Sequence, residues 1–301
     1  MRIATVPFQQ TMRTAMTAAQ AAIATTQQRI ATGKKATDLA GLGSDAVRTI
    51  ATRSLLSDQT AQAKSARQLD TTLELYDTNI SAVDTIGTDL RAALLGAVGT
   101  GTTTGLQQTL GTAFDQFRST LNATSGEQPL FAGSQTDTAP FLPRTLADTA
   151  GATPATAFAN DDVRASARVG DGIDVTYGVT ASDIGTGMLA AFRTLAEAGP
   201  IGDTPTATQT AAMQTAIAQI DAAMPQVRAV NAANGQRQAQ VETLATRADD
   251  RVALLTKFVS DTEDADYGQL SIDLATQEQQ LKASYSVFTQ ISQLSLTDYL
   301  K

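Results

Sequence analysis

Apolar residues at Met12, Met16, Ala19, Ile23 and Ile30 are spaced by threes, fours and a seven. At 3.6 residues per turn that spacing lays them along one stripe of a helix, and Thr32-Gly33 predicts its end. After Gly41 and Gly43, Ser44 is placed to cap a second, longer helix running to about residue 97. Within it Leu69, Tyr76, Val83 and Leu90 recur every seven residues, interleaved with Leu73, Ile80 and Leu94, which is the a/d pattern of a coiled-coil seam. Gly87 is the one gap in that seam. A single helix of this extent has a length of about 80 Å at roughly 1.5 Å per residue. The run from Gly99 to Gly105 predicts a turn, since it lacks the Gly-Lys-Ser/Thr ending of a phosphate loop. Leu106, Leu110, Phe114, Phe117 and Leu121 then predict a shorter amphipathic helix.

From about residue 125 to 187 the pattern changes, and Pro129, Pro140, Pro143 and Pro154 exclude long helices. Ile173, Val175, Tyr177 and Val179 alternate in the manner of a strand, and Gly170-Asp171-Gly172 predicts a hairpin turn joining them to a strand over 163–169. Phe131 and Phe141 either anchor this region on the helices or contact a neighbour. Helical periodicity resumes over 188–198 and stops at Gly199-Pro200. Thr204 with Pro205 predicts the cap and first turn of the next helix, and Pro225 is expected to kink or split it. The helical run extends to about Val259, after which Ser260 and Glu263 predict a capping box opening the last helix. There Tyr267, Leu274, Leu281 and Phe288 recur every seven residues, joined by Leu270, Ile291 and Leu294.

The fold class these patterns predict is mainly α: an elongated antiparallel helical rod of paired N- and C-terminal helices with a small inserted β-rich domain. The expected divisions are an N-terminal assembly helix and loop over 1–43, rod helices over 44–124, a β-rich outer domain over 125–187, returning rod helices over 188–259 and a C-terminal assembly helix over 260–301. The Leu69–Leu94 seam has the apolar length to pack on the returning segment of about 227–259 within one subunit, so Leu69, Leu73, Tyr76, Ile80, Val83, Leu90 and Leu94 are expected as its core. The terminal seams differ. Burying a Leu- or Ile-sized side chain stabilises by roughly 1.5–3 kcal/mol, whereas ordering each residue costs about 1–2 kcal/mol of backbone entropy. With Met12, Met16, Ile23 and Ile30 as its large residues, the first stripe cannot stabilise its helix alone. Met12, Met16, Ile23 and Ile30 with Leu274, Leu281, Phe288, Ile291 and Leu294 are therefore expected to form a subunit-assembly seam that orders when subunits meet.

Composition narrows the chemistry. Aromatic residues make up 5% of 301 residues and Trp is absent, which suits narrow helical seams better than a wide core. The chain has no Cys and no His, which removes the commonest zinc ligands, thiol nucleophiles and the usual general base. A Ser or Thr nucleophile activated by Lys, or a carboxylate pair, is still open on composition alone. A net charge of −8 with no Lys/Arg cluster among aromatics argues against nucleic acid. No stretch has the apolar length of a membrane span, and Pro7, Gln9 and Gln10 interrupt any cleaved signal early. The acidic run Asp261, Glu263, Asp264 and Asp266 suits a helix start better than a calcium loop. Asp249-Asp250 reads as a solvated helix face, and Asp171 and Asp174 as turn residues. No catalytic, metal or cofactor site is expected.

Three passages resemble a known family. They are Met1-Arg2-Ile3 with Gln27-Gln28-Arg29-Ile30-Ala31-Thr32-Gly33-Lys34; Leu130-Phe131-Ala132-Gly133-Ser134-Gln135-Thr136-Asp137-Thr138-Ala139-Pro140-Phe141; and Asp264-Ala265-Asp266-Tyr267 with Gln290-Ile291-Ser292-Gln293-Leu294-Ser295-Leu296-Thr297-Asp298-Tyr299-Leu300. Together they resemble the flagellin-like axial proteins, and within them the hook-associated protein 3 group that joins hook to filament. The second passage separates that group from filament flagellins, which share the terminal helices. The residues 39–45 and Pro225 depart from the family pattern. The resemblance implies an extracellular structural protein of the bacterial flagellum, exported without a cleaved signal peptide by the flagellar type III route. Its implied partners are further copies of itself, a preceding hook-associated protein, flagellin and an export chaperone. A main filament flagellin is the neighbouring alternative, and a monomeric helical binding module or glycan-active protein a more distant one, although no convergent acid, base and nucleophile fill the sheet region.

Overall fold

A computed structural model describes residues 5–297, and they are predominantly helical. In chain order the elements are α1 (Thr5–Thr32), α2 (Asp45–Thr100), α3 (Leu106–Leu121), the short strands β1 (Thr124–Ser125) and β2 (Gln128–Pro129), α4 (Pro154–Ala157), β3 (Ala165–Gly170), β4 (Ile173–Tyr177), α5 (Ala181–Glu197), α6 (Ala207–Glu263) and α7 (Tyr267–Thr297). The chain forms two compact units, one from residues 1–58 and 251–301 and the other from 59–250. The mainly α expectation with a small β insert holds.

In the second unit α2 and α6 run antiparallel, and cross-links along them fix the register. Arg67 pairs with Asp249 and Asp84 with Arg228 at 2.7 Å, while Arg91 forks onto Asp221. Between these exposed pairs, buried Asn234 donates to the Leu73 carbonyl at 2.9 Å. Leu69, Leu73, Tyr76, Ile80, Val83, Leu90 and Leu94 are all buried, in one cluster with Met213, Ile220, Met224 and Val241 of α6. The partner segment thus begins earlier than 227. Gly87, the gap in the seam, is filled from outside: a Cβ there would lie 2.6 Å from the Met224 sulfur.

Helices α3 and α5 close this core through their aromatics. Phe192 meets Phe114 edge-on at 5.4 Å and Phe117 at 5.3 Å between ring centroids. Phe141 and Phe158, from the irregular segment after β2, stack into the same group, and Phe131 meets Tyr76 at 5.4 Å. Phe131 and Phe141 are thereby buried anchors of that segment on the helices. The hairpin β3–β4 pairs Ala165 with Tyr177 through Arg168 with Asp174, with a register shift before Gly170 and its turn at Gly172 (φ +68°). Arg168 and Asp174, directly opposite, form a two-pronged ion pair at 2.8 and 2.9 Å.

Several boundaries differ from the sequence expectation. Helix α5 begins at Ala181, two turns before Met188, with a capping box in which the Thr180 amide donates to Asp183 at 2.8 Å. Gly185 and Gly187 disguise these turns. They are small because Leu121 and Phe158 crowd the first position at 2.9 Å and Ala223 crowds the second. Helix α6 is capped by Thr206, not Thr204: the Gln209 amide donates to its hydroxyl at 3.2 Å and its own amide donates to the Gln209 side chain at 3.0 Å. Pro225 does not split α6. Its ring is exposed while Met224 and Val227 beside it are buried, so the lost hydrogen bond falls on the solvent side and packing holds the other. Ser260 lies inside α6 and donates to Asp264; α7 is capped instead by Asp266, which accepts from the amides of Gly268 and Gln269 at 2.8 and 3.1 Å.

Candidate assembly surface

Within the first unit α1 and α7 pack antiparallel. Gln20 donates to the Tyr285 hydroxyl at 2.8 Å and Thr26 to Gln277 at 3.1 Å, so positions ascend on one helix as they descend on the other. The pair is closed where α1 ends. The Lys35 amide donates to the Glu263 carbonyl at 2.7 Å and the Ala265 amide to the Gly33 carbonyl at 2.9 Å, a two-rung antiparallel clasp. Gly33 is required there, with φ +69° and the Tyr267 hydroxyl 2.6 Å from where a Cβ would stand.

Charge reinforces the clasp. Glu263 is buried, and its Oε2 accepts from Arg53 at 2.6 Å and lies 3.5 Å from the Lys34 ammonium, which also donates to Asp264 at 2.5 Å. The hydrogen bond from Arg53 holds the Glu263 carboxyl below its ordinary pKa, with Lys34 adding to the effect. The bond from Lys34 does the same for Asp264. The acidic run is therefore divided between a clasp and a helix cap. Among the described residues no three His, Cys, Asp or Glu side chains come together to hold a metal ion, and no helix is long and apolar enough to cross a membrane.

The hydrophobic accounting of this unit is unbalanced. Met12, Met16, Ile23 and Ile30 of α1 are half-buried, as are Leu274, Leu281 and Phe288 of α7; the side chains of Ile291 and Leu294 lie outside the described residues. Among the described residues Leu270, at 7% exposure, is the one fully buried apolar side chain of the unit. Large apolar groups stand in solvent around it: Val47 at 78%, Leu254 at 68% and Ile272 at 62%, with Ile50, Leu55, Phe258, Tyr267 and Val287 also exposed. Val47 with Ile50 and Leu254 with Phe258 are three and four residues apart, hence on shared helix faces. In the second unit only Leu95, Leu142, Val163 and Ile173 are comparably exposed. The α1 and α7 stripes are legible in the sequence, whereas the exposed α2 and α6 faces are not. Their spacing was visible, but nothing local marks an apolar pair as uncovered.

Similarity to known proteins agrees with this geometry. Residues 217–300 match the bacterial flagellin C-terminal helical region. No curated protein matches the sequence. The chain also has the fold of several solved structures. A Vibrio parahaemolyticus protein described as a flagellar hook-associated protein superposes with a TM-score of 0.61 at 20% identity, over 73% of this chain and 97% of that one. Bacillus cereus FlgL gives 0.56 at 13% identity over 70% and 99%. The flagellar hook-associated protein-3 of Legionella pneumophila gives 0.55 at 11% over 70% and 97%.

Proposed function

We propose that this chain is a structural protein of the bacterial flagellum that joins a hook-associated protein to the filament, acting by helix packing between subunits and not by catalysis. One observation carries the reading: the first unit exposes apolar side chains of three long helices while fully burying only Leu270 among the described residues. Each Leu- or Ile-sized group left in water forgoes roughly 1.5–3 kcal/mol, so cover by neighbouring subunits is strongly favoured. The flagellin C-terminal match and the fold shared with hook-associated proteins support the flagellum as the setting. The assembly seam is then Met12, Met16, Ile23 and Ile30 with Leu274, Leu281, Phe288, Ile291 and Leu294, extended by Val47, Ile50, Leu254 and Phe258. Its partners are further copies, a preceding hook-associated protein and flagellin, with an export chaperone before assembly, and its place is outside the cell.

Electron microscopy of cells lacking the protein tests this. Hooks without filaments are expected, and filaments of normal length on those cells would overturn the reading. A main filament flagellin is the second reading, favoured by the match to a flagellin region. Copy number in isolated flagella separates the two, since a junction protein is scarce and a filament subunit abundant.

A further inference from the structure

The second unit holds a pocket of about 160 Å³ between the base of the β3–β4 hairpin and α6, lined by Arg164, Tyr177, Val230, Ala233 and Arg237 among others. It brings two cations together in a chain of net charge −8. Arg164 is fixed: its guanidinium donates to the Gly178 carbonyl at 3.2 Å and to Asp183 at 2.7 Å. Asp183 is itself shared, accepting from the Thr180 amide at the start of α5. Arg237 is half-buried beside the apolar Val230 and Ala233, with neither hydrogen bond nor ion pair among the described residues.

A guanidinium presents five donors in a planar fork that matches a carboxylate with two parallel bonds. No Arg237 nitrogen is a buried group without a partner, so its fork is reached by solvent and an incoming carboxylate exchanges that water for two charge-assisted bonds. The pocket is several times the roughly 30 Å³ that one water occupies in the liquid. It accommodates a carboxylate with a short stem. We propose that this pocket binds a single carboxylate, gripped by Arg237 with Arg164 alongside. The group comes from an Asp or Glu side chain of a second copy, which an acidic chain supplies readily, or from a small free carboxylate.

The test is thermal unfolding of the full chain with sodium acetate at constant ionic strength, chloride replacing acetate in the control. Wild type is expected to gain about 2–4 °C once acetate exceeds its Kd about fivefold. Arg237→Gln should lose that gain with its acetate-free midpoint little changed, and Arg237→Lys should keep only part of it. Line broadening of ¹³C-acetate by the wild type and not by Arg237→Gln reads the same binding without relying on stability. No acetate response in wild type, or an equal response in Arg237→Gln, overturns the proposal. Sedimentation of the full chain separates the sources. Association weakened by both acetate and Arg237→Gln assigns the carboxylate to a second copy, and association indifferent to both, with acetate binding retained, assigns it to a free anion. The acetate measurements stand whether or not the flagellar reading does.

Discussion

At the scale of single residues, Glu263 ties three distant parts of the sequence together, since its carboxylate is shared by Lys34 and Arg53. Its pKa in the folded chain lies below the ordinary 4.5, because Arg53 and Lys34 favour the charged form. A depressed carboxyl contributes stability that is present above the unfolded-state value and is lost as pH falls through the folded one. Wild type is therefore expected to lose stability on acidification from about pH 5 downward, and Glu263→Gln to lose less over the same interval. Urea midpoints measured against pH for both proteins check this, and parallel curves would count against the clasp. Asp161 works in the same direction further down: hydrogen bonds from Ser134 bring its pKa to about 2, so its contribution persists to more acid conditions.

Elements show what the sequence could and could not disclose. The seam of α2 was readable because seven of eight successive a/d positions carry large apolar groups, Gly87 being the exception, and those seven are buried. The partner register was not, since it depends on charged pairs such as Asp84 with Arg228 that lie 144 residues apart. Thr206 and Gln209 do form a recognisable box, masked by the nearer attraction of Thr204-Pro205. Pro225 misleads because propensity is local, whereas the packing of Met224 against Gly87 is not. Ser260 has the right spacing to Glu263 for a cap, yet Arg53 claims that carboxylate first. The exposed faces of α2 and α6 carry no local mark at all. Paired truncations distinguish the two kinds of apolar position. Leu73→Ala, at a fully buried site, should cost about 2–5 kcal/mol in urea unfolding. Leu254→Ala should leave that measurement within about 0.5 kcal/mol while lowering association in sedimentation velocity.

For the whole molecule, the two units differ in how much apolar surface they seal. The second has a continuous core from Ala66 to Ala245, and the first rests on half-covered stripes. Local opening is easiest where buried contacts are few. In a dilute solution of the free chain, amides of α1 are expected to exchange with solvent at least tenfold faster than those of α3, and to slow on assembly, as followed by mass spectrometry of deuterium uptake. Equal protection of both helices in the free chain would contradict this.

The bond between Gln20 and Tyr285 spans 265 positions, so α1 is synthesised well before the α7 that pairs with it. A nascent chain carries α1 unmatched until those intervening positions have been made. Proteolytic nicking beyond Asp266 strips that helix of its mate from the far end, so damage at one extremity is felt at the other.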